Sequence, residues 1–174
     1  MKLKNNIFTT LLLTIGFVLH HITPGILGGM KFDFLLAFMF VSLLLNPKFE
    51  NAIMSGILAG VLSAATTTFP GGQIPNILDK LFTCLILFGI IKFLYRFKIN
   101  SIIVGLIGGL GTFLSGMIFL TSAAFISGLP APMTALIVTI VLPTTIINAI
   151  GTIFVYKIVK ISLRASGVAL NFND

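Results

Sequence analysis

Two short charged pairs interrupt an otherwise apolar sequence: Lys31 with Asp33 in HHITPGILGGMKFDF, and Asp79 with Lys80 in FPGGQIPNILDK. Each offers a cation beside a carboxylate, which is what a zwitterion such as a free amino acid needs for its two ends. Hydrogen bonds between ionised partners are roughly twice as strong as neutral ones. A pair left in water contributes only about 0 to 1 kcal/mol, so a ligand site and two solvated ion pairs are both open readings. Gly28-Gly29 and Gly71-Gly72 let backbone approach a ligand, or simply turn the chain. Gln73 and Asn76 can donate and accept hydrogen bonds. Asn148 lies in PTTIINAIGT, where Pro143 withholds the N–H that would bond the Thr139 carbonyl. A polar side chain in an apolar helix points inward to a partner, so helix bonding and ligand contact are equally open for Asn148.

The scaffold that must carry these groups follows from composition. The 174 residues are 57% apolar and 9% charged, with a mean hydropathy of +1.14, which excludes an ordinary soluble domain. Continuous apolar runs favour helices over an alternating barrel. They fall at about 7–22, 32–45, 52–69, 81–95, 101–127 and 133–156, predicting an all-α membrane protein, one compact bundle of six transmembrane helices. The basic start MKLKNN before IFTTLLLTIGFVL has a signal-peptide layout without a small-x-small cleavage site, and reads as a first helix that is kept.

With six crossings and a cytoplasmic start, Lys2, Lys4, Lys48, Lys92, Arg96, Lys98, Lys157, Lys160 and Arg164 fall inside, leaving Lys31 and Lys80 outside. This bias predicts that both termini are cytoplasmic, and it accounts for the net charge of +7 without nucleic acid as a partner. Pro24, Pro70, Pro75, Pro130 and Pro132 then share the three outer connections with the charged pairs. Helix-breaking backbone at membrane depth is tolerated where it is buried in protein or lines a cavity, so the functional face is expected there.

Other features are less directive. Ser55, Ala59 and Ser63, beside Gly56, Gly60 and Ala64, form a small-residue face, as do Gly105 and Gly109; packing within the chain and docking to a separate subunit both use such faces. Cys84 lies in an apolar run without a partner cysteine and reads as a small hydrophobe. His20 and His21 point about 100° apart on a helix, which disfavours joint metal binding but leaves a titrating role. Neither a phosphate-binding glycine loop nor a zinc-protease or Ser-His-Asp pattern is present. Enzyme chemistry, a metal and a cofactor are therefore not expected. An ion-coupled carrier and a membrane scaffold remain alternatives to a substrate-binding transport protein.

The run from His20 to Lys80, above all GGMK and FPGGQIPN followed two residues later by DK, resembles the TrpP family of bacterial tryptophan transport proteins. These are similar to the substrate-binding S components of energy-coupling factor transporters. The resemblance implies a six-helix protein of the bacterial cell membrane that takes tryptophan from outside, with the first connection as a lid. It further implies a transmembrane coupling subunit and two cytoplasmic ATPases as partners. S components commonly dock through an alanine-x-x-x-alanine pattern on the first helix; here Thr10 and Thr14 stand at that spacing. Joined to the charge argument, the resemblance predicts that Lys31 meets the substrate carboxylate and Asp79 or Asp33 the ammonium. The 71–76 segment would then fix orientation, and Asn148 would reach the indole nitrogen.

Overall fold

The computed structural model of the chain describes residues 2–25, 27–97 and 99–166; Lys98 and the side chains of Lys2 and Lys4, counted above among the inner cations, lie outside this description. The described residues form six helices: α1 (Lys2–Ile22), α2 (Leu35–Leu45), α3 (Phe49–Ala65), α4 (Gln73–Leu94), α5 (Ser101–Ile126) and α6 (Met133–Ala165). A short 3-10 turn, Leu27–Gly29, interrupts the first connection. By length and composition α5 and α6 each suffice to cross a membrane. Large apolar side chains are exposed around the outside, among them Phe125, Ile102, Leu110, Ile150 and Ile161, an arrangement suited to lipid contact and not to water.

Every residue of α2 is buried. At 1.5 Å per residue it spans about 16 Å, roughly half of a hydrocarbon core. The expected second span of 32–45 is therefore shorter than read. It begins only at Leu35 because residues 30–34 stay non-helical, and Asn46-Pro47 ends it. The bundle wraps this short helix in protein, which removes the problem of matching it to lipid.

The fourth helix departs most from expectation. It begins at Gln73 rather than near 81, because Gly71 turns the chain at φ +70° and Pro75 falls in the first helical turn. The first four N–H groups of a helix have no partner within it, so a proline there breaks nothing. NILDK is consequently helix and not loop. The third helix ends early, at Ala65, before the Thr66–Pro70 turn.

Glycines bring the helices together inside the chain. A Cβ on Gly60 would lie 2.9 Å from Ile77 Cα, fixing close contact of α3 with α4, and one on Gly108 would lie 2.8 Å from the Asn148 carbonyl oxygen, doing the same for α5 and α6. Both small-residue faces are thus used for packing within the molecule. At the end holding the 46–48 and 95–100 links, Asn51 donates to the Ser42 and Asn46 carbonyls and accepts from Thr9. Tyr95 there donates to the Leu44 carbonyl.

Near the start of α6, residues Ile137–Val141 form a π turn. It lies just before Pro143, whose missing N–H frees one i−4 carbonyl. Insertions of this type accompany such disruptions of the helical ladder.

Candidate substrate-binding site

The three connections at the other end of the bundle meet. Thr68 Oγ1 donates to the Gly29 carbonyl at 2.5 Å. Gly29 has φ +80°, and a Cβ on it would stand 2.3 Å from the Thr68 carbonyl oxygen. Gly28, at φ +62°, lies against Pro130, and Gly71 against Ser127. Only glycine supplies both the left-handed backbone and the close approach at Gly28 and Gly29.

Below these contacts lies a small cavity of about 70 Å³, partly open to solvent. One part of its wall is apolar: Met30, Leu36, Phe69, Phe119, Ile140 and Val141. Phe69 and Phe119 meet edge to face with ring centres 5.3 Å apart, a favoured aromatic geometry. Ile140 and Val141 belong to the π turn, which therefore faces the cavity.

The wall also carries charge. Lys80 Nζ is 2.6 Å from Asp33 Oδ2 and also bonds Asp79 Oδ2. Asp79 Oδ1 accepts from Ser115 at 2.5 Å and from Thr83 at 3.3 Å. Asp79 and Lys80 are each only 1% exposed, so the reading of two separate solvated ion pairs is corrected: one buried lysine bridges two carboxylates from different segments. A helix allows this because Asn76, Asp79, Lys80 and Thr83 share one inward face.

Asp33 is held from three sides. Besides Lys80, His20 Nδ1 of α1 lies 3.2 Å from Asp33 Oδ1, and neither atom has a hydrogen-bond partner among the described residues. Asn148 of α6 donates to the Asp33 backbone carbonyl at 2.8 Å and to Thr112 Oγ1 at 3.1 Å. Burial alone would raise the Asp33 pKa, but Lys80 and His20 outweigh it and hold the carboxyl below the usual carboxylate range. Lys31 is half-buried on the same wall and makes no ion pair among the described residues.

The family model described as Tryptophan transporter TrpP matches residues 2–164. The chain belongs to the TrpP family. It is 48% identical over 165 residues to a probable tryptophan transport protein of Clostridium acetobutylicum, covering 94% of this chain and 96% of that protein. It is 42% identical over 166 residues to a probable tryptophan transport protein of Bacillus subtilis, covering 95% and 96% of the two chains. A protein of the same description from Clostridium perfringens is 38% identical over 181 residues, covering 97% of this chain and all of that one. No solved structure matches the chain.

Of the residues singled out in this TrpP chain, Gly29, Lys31, Asp33, Asn76, Asp79 and Lys80 line the cavity. Gly28 and Gly72 lie behind it, Gly72 accepting from the Asn76 side chain at 2.8 Å. Gly71 and Gln73 are exposed and outside it, so a role for Gln73 in orienting a ligand is corrected: as the first residue of α4 it faces away. Asn148 is completely buried; its amide N–H groups are given to Asp33 and Thr112, while its Oδ1 has no hydrogen-bond partner among the described residues. It borders a separate apolar crevice between α1, α2 and α6 and is not on the cavity wall. Sequence reasoning missed Ser115, Thr112, Thr144 and Phe119 on the wall. The small and hydroxyl residues Gly108, Thr112 and Ser115, three to four apart on α5, are the signal that marked this face.

Proposed function

We propose that the chain binds tryptophan in this cavity and carries it into the cell as a six-crossing membrane transport protein. The observation that carries the reading is Asp33, a carboxylate of the cavity lining whose buried Oδ1 has no hydrogen-bond donor among the described residues. A buried acceptor in that state is costly unless a partner arrives. The substrate ammonium supplies three donors, and Lys31 answers the carboxylate. Asp79 is a poorer candidate for the ammonium, because both its oxygens already accept. The aromatic and branched side chains of the lining then receive the indole.

The cavity end faces outward in this reading, supported by the gathering of Lys48, Lys92, Arg96, Lys157, Lys160 and Arg164 toward the other end. The chain acts as the substrate-binding component of an energy-coupling factor transporter, with a coupling subunit and two ATPases as partners. Support comes from α1, where Thr10 and Thr14 are exposed and bond carbonyls of their own helix at 2.9 Å. Their face is left clear for another membrane subunit.

The chain contains no tryptophan, so ligand fluorescence is read without protein background. Titration of the purified protein with tryptophan is expected to give a saturable blue shift as the indole leaves water. Absence of any saturable shift at micromolar ligand defeats the substrate assignment.

A further inference from the structure

We propose that His20 and Asp33 form a proton-binding site whose occupancy excludes the substrate ammonium, so that tryptophan binding expels a proton from His20. This rests on the substrate reading above. Within the buried cluster, Lys80 is shared between Asp33 and Asp79. His20 is 5% exposed. Its Nδ1 and Asp33 Oδ1 are 3.2 Å apart, and both lack a hydrogen-bond partner among the described residues. A proton on Nδ1 corrects both deficits at once, because it gives Oδ1 a donor.

The groups facing His20 are Asp33 on the first connection, Asp79 and Lys80 on α4, and Lys31 on the cavity wall. Neither α2 nor α5 contains an ionisable side chain, while Glu50 of α3 and Lys157, Lys160 and Arg164 of α6 lie toward the opposite end. His21 is exposed and stacked on Phe17.

A bound ammonium satisfies the same Asp33 oxygen. Two cations at one oxygen repel strongly where water is scarce, so the imidazolium N–H breaks, its electron pair stays on Nδ1, and the proton passes to solvent. By linkage, proton and tryptophan weaken each other by the same factor. This exchange runs opposite to proton symport, in which the two ligands would bind together.

The test is calorimetry of tryptophan binding to the full-length protein from pH 5 to 8, in buffers of different ionisation enthalpy, which counts protons. Wild type is expected to release about one proton per tryptophan at the acid end, with affinity falling toward acid by up to about tenfold per pH unit. His20→Gln should release none and bind with a flat pH profile, while His21→Gln should keep the wild-type count. Saturable binding by wild type without proton release overturns the exchange and leaves the substrate reading standing. Proton release that persists in His20→Gln overturns the assignment to His20. No binding by wild type overturns both readings. If His20→Gln does not fold, the wild-type proton count still decides.

Discussion

Lys80 Nζ stands 2.6 Å from Asp33 Oδ2, tying α4 to the non-helical segment ahead of α2. Because Lys80 also bonds Asp79, its removal leaves two carboxylates buried with no lysine between them. Breaking a buried pair from one side costs about 3 to 5 kcal/mol. Lys80→Met is therefore expected to lower thermal stability of the purified protein sharply, and Lys80→Met combined with Asp79→Asn should recover part of the loss. Equal melting of the single variant and wild type would mean that the bridge adds nothing.

Ligand analogues separate the two ends of the substrate. Lys31→Ala should weaken tryptophan binding by about 1.5 to 3 kcal/mol, the range for a charge-assisted hydrogen bond, yet leave tryptamine, which has no carboxylate, unaffected. Asp33→Asn should show the reverse selectivity, harming tryptophan and sparing indole-3-propionate. Fluorescence titration of the four combinations checks the assignment, and a uniform loss across ligands would contradict it.

Gly29 offers a test that changes no charge. A methyl group there meets the Thr68 carbonyl oxygen at 2.3 Å on a backbone with φ +80°, and a backbone atom cannot swing aside as a side chain can. Strain of this kind costs on the order of 1 to 3 kcal/mol. Gly29→Ala should pull the first connection away from the Thr66–Pro70 turn and raise the tryptophan Kd. Faster proteolysis between residues 23 and 34 would report the same displacement.

Acid should act through Asp33 in a definite direction. Its folded pKa lies below the ordinary value of about 3.9, held there by Lys80 and His20 against the effect of burial. Its stabilisation is thus complete above that ordinary value and lost as pH falls through the depressed one. Melting temperature against pH should consequently keep its plateau down to about pH 5. In Asp33→Asn the plateau should be lower and the acid decline shallower.

The meeting of the three connections was legible from the placement of proline, glycine and cations, since each of these reports on backbone or on loops. Asp79 and Lys80 were legible as functional groups but not as helix. Pro75 and two glycines ahead of them signal a loop, and the rule that proline is harmless in a first turn becomes decisive only once the start of α4 is known. Pairing was hidden for a different reason. Neighbours in sequence suggested Lys31 with Asp33, whereas Lys80 reaches Asp33 across a long separation that no local pattern encodes. Asn148 was correctly read as pointing inward, but which side of a wall it occupies depends on the packing of α6 against α2. Gln73 sits next to cavity residues in sequence and away from them on the helix.

The π turn of Ile137–Val141 inserts a surplus residue into α6, and one residue is about 100° of helical phase. The stretch beside the apolar wall of the cavity and the long stretch leading to Arg164 are therefore indexed independently along one continuous rod. Shortening the widened turn by a single residue would rotate one half against the other, turning Ile140 or Thr144 out of the cavity while leaving composition, hydropathy and length almost untouched.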